Sequence, residues 1–223
     1  MTCRTVTPHE LHIPADNTLS RLPLEEIAAN IRQCGAQAPI NCVNWPDAFP
    51  DARRTTVYAA HDDDAVYLLF DCEGFDLKAE TDADLGPVAN DSCVEFFVSP
   101  DTADPRYWNF EFNAIGRKNV STRITRPEPR RLSVDELSQI KVYSSAGESP
   151  FAEQNGFHTW YLLVVIPFSL FTCEKYEFPK RMKGNFYKCG AKTSSPHYLS
   201  WAPIATERPD FHRPEFFADI ILD

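Results

Sequence analysis

The sequence predicts an all-β protein, an antiparallel β-sandwich or jelly roll with a short N-terminal helix. Three observations carry this expectation. Aromatic residues make up 13% of the chain, with 16 Phe and 8 Tyr, and such side chains suit half-buried pleated surfaces. Eighteen prolines against eight glycines fit many short strands joined by stiff loops. From Arg54 onward, short alternating runs follow one another, while helical spacing is confined to one early segment.

That early segment comes first. Ser20 is placed to cap, Pro23 suits an early helical position, and Leu24, Ile27, Ala28 and Ile31 recur at helical spacing before Gly35 stops the run. An amphipathic helix of this kind covers a sheet face or edge. Thr55 to His61 and Ala65 to Cys72 then read as a hairpin across Asp62-Asp63-Asp64. Runs at 93–98, 107–114, 117–124, 140–144, 157–166, 186–192, 198–201 and 216–222 complete the set. No repeat or low-complexity linker intervenes, so residues 1–223 are expected to form one domain, with 1–44 a helical extension packed on the sandwich.

Charge narrows the function. A net charge of −10 and a pI near 5.1 disfavour a polyanionic partner, which needs a concentrated basic surface. The nearest basic run, Arg126 to Arg131, contains Glu128 and is bordered by prolines, so it reads as a solvated loop and no nucleic acid is expected. No run approaches the ~18 apolar residues of a membrane span. Met1 to Pro14 has no apolar h-region, which points to the cytoplasm, or to the periplasm or secretion if a leader has been trimmed. The seven cysteines, Cys3, Cys34, Cys42, Cys72, Cys93, Cys173 and Cys189, include no CxxC pair, and Cys72 and Cys93 fall in strands as small hydrophobes.

Alternation inside three neighbouring strands points to a site. Val94, Phe96 and Val98 share one face, as do Trp108, Phe110, Phe112 and Ala114, and then Val120, Thr122 and Ile124. If the strands are consecutive neighbours, the opposite wall combines Glu95, Asn109, Glu111, Asn113, Asn119, Ser121 and Arg123 with Phe97 and Tyr107. Planar amides and carboxylates suit sugar hydroxyls, and aromatic rings suit the C–H faces of a pyranose. The same residues also fit a polar ladder that stabilises the sheet by cross-strand pairing.

Five segments, in order, resemble the family-9 carbohydrate-binding modules, and most closely a group of small stand-alone proteins. They are His61 to Phe70; Asn90-Asp91-Ser92-Cys93-Val94-Glu95 with the strand it opens; Tyr107 to Gly116; Trp160 to Pro167; and Ser200-Trp201-Ala202-Pro203 with the Asp210 to Phe217 segment. The resemblance implies a mono- or oligosaccharide held between aromatics, its hydroxyls read by charged and amide groups, with structural calcium in some members. The family's Asp-Ser-x-Glu acid falls on Glu95. Its tryptophan platform falls on Phe211, a smaller ring, and its arginine reading position falls on Glu111, which inverts the charge and leaves the ligand free to differ from reducing-end glucose.

The expected function is therefore non-catalytic carbohydrate binding in bacterial glycan use, through Glu95, Asn109, Glu111, Asn113, Arg117, Trp201, Phe211 and His212. Trp108 is a weaker candidate, since alternation places it in the core. No cofactor is required; Asp62, Asp64 and Asp91 are the candidate calcium ligands, because hard cations take carboxylate oxygens. Two alternatives remain: an interaction sandwich with a vestigial sugar site, and a weak glycoside hydrolase using Glu95 and Glu111. Motifs of serine hydrolases, zincins and P-loop enzymes are absent, and with Met1 and Met182 as the two methionines a Met–His haem site is not expected.

Overall fold

The computed structural model describes residues 9–51, 53–171 and 178–223, so Met1, Cys3 and Cys173 lie outside the described residues. The chain opens with β1 (Glu10–Ile13), α1 (Leu24–Cys34), β2 (Ala36–Pro39) and β3 (Cys42–Val43). β4 (Thr55–His61) and β5 (Ala65–Ala79) form the expected hairpin. β6 (Cys93–Ser99), β7 (Tyr107–Asn113), β8 (Lys118–Arg123) and β9 (Arg130–Arg131) follow as a meander. After α2 (Val134–Ser138) come β10 (Lys141–Ser144), β11 (Phe151–Pro167), β12 (Arg181–Cys189), β13 (Tyr198–Ser200) and β14 (Ala218–Leu222).

Two sheets result. One runs β1-β14-β12-β6-β7-β8-β9, with β13 pairing β12 and β3; the other runs β10-β11-β5-β4-β2. The pairs are antiparallel except β1 with β14. Core side chains from the two sheets meet at Phe186, which stacks on Phe96 of its own sheet at 4.9 Å and meets Phe70 of the opposite sheet at 6.3 Å. Trp108 sits in this core as alternation requires, against Phe171.

The N-terminal helix forms where its spacing places it, and Ile27, Ala28 and Ile31 pack on Tyr67, Leu69 and Leu163 outside the five-stranded sheet. Its start differs from expectation: Ser20 lies in a separate 3-10 turn, and Pro23 occupies the cap position without a side-chain cap bond. Glu25 and Glu26 still place negative charge against the helix N-terminus. Gly35 is needed for close approach, since a Cβ there would sit 2.7 Å from the Ile31 carbonyl oxygen and 3.0 Å from that of Ala59.

Residues before position 45 are more than a helical extension. β1, β2 and β3 from this stretch pair with β14, β4 and β13, so the segment is woven into both sheets. Strands of two and four residues have too few positions to show alternation, which is why sequence periodicity missed them. Helix α2 was also unexpected. It begins with a capping box in which Ser133 and Glu136 each accept from the other's backbone N–H.

Candidate functional site

β6, β7 and β8 are consecutive neighbours, and their register sets Glu95 opposite Glu111 and Glu111 opposite Asn119. On the other side of β6, Tyr187 of β12 pairs with Glu95 and Cys189 with Cys93. The polar wall therefore exists as a continuous face, but it is not open to water. Glu95 and Glu111 are only 3% and 7% exposed. Residues of the long connection from β13 to β14, among them Ile204, Phe211 and Phe217, fold over the wall and pack with Trp45 on Phe97, Tyr107 and Tyr187. Alternation identifies the face and says nothing of this cover, which has no periodicity of its own.

Between wall and cover lies a cavity of about 200 Å³. Glu95, Glu111 and Cys189 supply its floor; Phe97, Tyr198, Phe211 and His212 bring rings to its sides; Arg126 and Asp210 stand at its rim. Phe211 is backed by Tyr187, stacked at 4.2 Å and 9°. Arg126 Nη1 donates to Asp210 Oδ1 at 3.0 Å, and the same oxygen accepts from the His212 backbone N–H. That clasp joins the loop after β8 to the covering segment. The basic run read as a solvated loop thus contributes one residue to the cavity.

The wall is hydrogen-bonded throughout. Asn109 donates to Glu111 Oε1 at 2.8 Å, and its own oxygen accepts from Ser121 Oγ and Arg123 Nε. Asn119 donates to Glu111 Oε2 at 3.0 Å. Glu95 Oε1 faces two thiols, Cys189 Sγ at 3.2 Å and Cys93 Sγ at 3.9 Å. Burial, with Cys189 and Glu111 alongside, pushes the Glu95 carboxyl well above its ordinary value of 4.5. Burial also raises Glu111, against the opposing pull of the Asn119 and Asn109 amides. His212, which faces the Tyr107 hydroxyl at 3.1 Å, is pushed down to about 3 by burial and then by Arg123 and Arg126. Burial thus biases both floor carboxyls toward their neutral forms, in which each offers a hydroxyl donor as well as an acceptor.

Of the residues singled out from sequence, Glu95, Glu111, Phe211 and His212 converge on the cavity, with Asn109 directly behind Glu111. Three do not. Asn113 donates to Asp91 and to the Thr81 carbonyl, which ties down the loop before β6. Arg117 pairs with Asp82 at the β7–β8 turn. Trp201 is 5% exposed and packs into the sandwich core on Phe186. Cys189, Tyr198 and Asp210 were missed, and only the β6–β12 register and the path of the covering segment bring them in.

Of the candidate calcium ligands, Asp62 and Asp64 share the β4–β5 turn while Asp91 lies elsewhere. Asp62 closes the β4–β5 turn, with Oδ1 accepting the Asp64 and Ala65 N–H groups and Oδ2 accepting the Tyr67 hydroxyl. Asp91 lies near the other end of β5, where the neighbouring Ser92 N–H bonds to the Lys78 carbonyl, and its Oδ2 accepts from Thr81 and Asn113. Among the described residues the three acids do not come together as one ligand group. Cys93, read from sequence as a small hydrophobe, is fully buried in the apolar cluster beneath the covering segment, on the face away from the sandwich core, and stands beside Glu95 and Cys189.

No curated protein sequence shows a significant match to the chain. A protein from Bacteroides uniformis ATCC 8492, described as a candidate carbohydrate-binding protein, is 33% identical over 97% of this chain and 100% of its own, with a TM-score of 0.88. A family-9 module from Caldicellulosiruptor kristjanssonii, solved with cellotriose, superposes with a TM-score of 0.57 at 10% identity over 96% of this chain and 93% of that one. The same kind of module with glucose gives 0.55 at 10% identity, over 96% of both chains. These two likenesses concern the fold. The model of carbohydrate-binding family 9 matches residues 25–222, nearly the whole described sandwich, and the chain belongs to that family.

Proposed function

We infer that the cavity over β6, β7 and β12 binds one ring of a neutral sugar without catalysis, in the service of glycan use. The observation that carries this reading is the pre-built floor: Glu111 is fixed by two amides beside a buried Glu95 whose carboxyl is pushed well above its ordinary value, with rings on the sides. Such a floor presents hydroxyl-reading groups without the cost of ordering them on binding. At roughly 30 Å³ per water, about 200 Å³ holds six or seven waters, which suits a single ring better than a threaded chain. Further units of an oligosaccharide would extend outward past Arg126 and Asp210. Family membership, and the sugars bound by the two Caldicellulosiruptor modules, support the same class of ligand.

Hydrolysis is less well supported. An acid–base pair needs environments that push its two carboxyls apart, whereas Glu95 and Glu111 are both pushed upward. A protein-interaction reading has one observation behind it. Phe75 and Phe157, 56% and 59% exposed, pair edge-to-face at 5.6 Å on β5 and β11, away from the cavity.

Calorimetric titration of neutral mono- and disaccharides tests the proposal. Saturable one-site binding is expected for at least one sugar, weakened at least about tenfold, or ~1.4 kcal/mol, by Phe211→Ala and by Glu95→Gln with the fold retained. A flat response across the panel, or binding indifferent to both substitutions, would overturn it.

A further inference from the structure

We propose that Cys93, Glu95 and Cys189 form a binding site for a thiophilic divalent cation, with zinc as the best-matched ion, at the floor of the cavity. The three come from two adjacent strands. Cys93 and Glu95 are i and i+2 on β6 and so share a face, and Cys189 on β12 stands directly opposite Cys93. A site built on paired strands in the middle of a sheet is rigid before any ion arrives.

The spacing fits a tetrahedron. Zinc–sulfur bonds of about 2.3 Å and zinc–oxygen bonds of about 2.1 Å imply S···O edges of ~3.6 Å and an S···S edge of ~3.8 Å. Glu95 Oε1 lies 3.2 Å from Cys189 Sγ and 3.9 Å from Cys93 Sγ, and the three donor atoms all fall within 4.8 Å of one another. Both S···O edges are within about 0.4 Å of the tetrahedral value, and the S···S edge lies within the same 4.8 Å limit. Two thiolates select zinc or another soft ion over calcium or magnesium. Three protein ligands leave the fourth position open, and Glu95 and Cys189 both border the cavity, so that position faces it and takes water or a ligand hydroxyl.

Burial supplies a second reason. Cys93, Glu95 and Cys189 are 0%, 3% and 1% exposed, and Glu111 stands beside them. The Lys188 ammonium, on the same strand as Cys189, donates instead to the Cys189 carbonyl and to His197. The three donor atoms take no hydrogen bond from that ammonium, and a bound cation would compensate the charge they carry once deprotonated. Binding is balanced by proton release: Zn²⁺ displaces one proton from each thiol, and the Glu95 proton where it is present, to the buffer.

The test needs no sugar, so its outcome is independent of the sugar proposal. Reduced, metal-free protein is titrated with ZnCl₂ in two buffers of different ionisation enthalpy, and with CaCl₂ as control. One equivalent of zinc should bind with Kd of about 1 μM or tighter, with buffer-dependent heat from proton release and no calcium heat. Cys93→Ser and Cys189→Ser should each weaken binding at least about 100-fold while circular dichroism stays unchanged. Because a variant can fail to fold, Co²⁺ is also added to the unaltered protein, where thiolate-to-cobalt charge-transfer absorption is expected. Three results would overturn the site: no saturable zinc binding, zinc binding that survives Cys93→Ser/Cys189→Ser, or a cobalt spectrum without thiolate bands. So would an intact mass showing that the two cysteines are already joined in a disulfide after reduction.

Discussion

Replacing Glu111 by Ala and by Gln separates what its carboxyl does by shape from what it does by charge. The two oxygens accept from Asn109 and Asn119 at 2.8 and 3.0 Å. Asn109 is fully buried and its own oxygen already accepts from Ser121 and Arg123, so its amide cannot turn to find another partner. Removing the carboxyl in Glu111→Ala therefore orphans a buried N–H donor, at a cost of ~1–3 kcal/mol. Asn119 is only half-buried and recovers water, adding little. A loss of about 2 kcal/mol lowers Tm by roughly 4–8 °C in a chain of this size. Gln keeps an oxygen toward Asn109, and Asn119 can rotate its own oxygen to meet the new amide, so Glu111→Gln should cost less than about 1 kcal/mol.

The charge term then appears in the pH dependence. Burial raises the folded Glu111 above its ordinary value of 4.5, so at higher pH the unfolded chain has released a proton that the folded chain still holds. Wild-type stability therefore falls as pH rises through that window. Gln does not titrate, so Glu111→Gln should gain on wild type as pH increases, by up to ~1.4 kcal/mol per unit inside the window. Urea unfolding of the three proteins from about pH 4 to pH 8 measures both effects. Equal destabilisation by Ala and Gln, or a Gln offset that does not move with pH, would refute the reasoning.

His212 has the opposite sign. Its folded pKa of about 3 lies below its ordinary 6.5, so its contribution is complete above pH 6.5 and is lost as pH falls. Between pH 7 and pH 5 this amounts to about 2 kcal/mol, and His212→Gln should flatten the acid limb of the wild-type unfolding profile by that much; superimposable profiles would count against it. Gly35→Ala should destabilise by ~1–3 kcal/mol in thermal melts, because the new methyl meets backbone oxygens rather than a yielding side chain; an unchanged Tm would mean that the α1–β4 contact is looser than described. Arg126→Ala breaks a pair whose arginine side chain is 61% exposed, so stability should change by less than about 0.5 kcal/mol. If the clasp retains the ligand, the same substitution should speed sugar dissociation in surface-binding kinetics.

The contrast between what alternation reveals and what pairing reveals runs through the whole site. Period-two patterning in β6, β7 and β8 is local, and it assigned Phe96, Phe110 and Val120 to the core and Glu95, Glu111 and Ser121 to the opposite wall, where the structure has them. Whether that wall meets water depends on residues far along the chain. Phe211 and Phe217 lie on an irregular connection whose path is set by packing on Tyr107 and Tyr187, not by any repeat. Arg117 and Arg126 show the same limit at closer range. Both flank β8, but Arg117 sits at the β7–β8 turn while Arg126 sits past the other end, where the covering segment crosses. Read as isolated strand residues, Cys93 and Cys189 are small hydrophobes. Only the register of β6 against β12 makes them neighbours on the face that carries Glu95, and so turns two packing residues into a donor set.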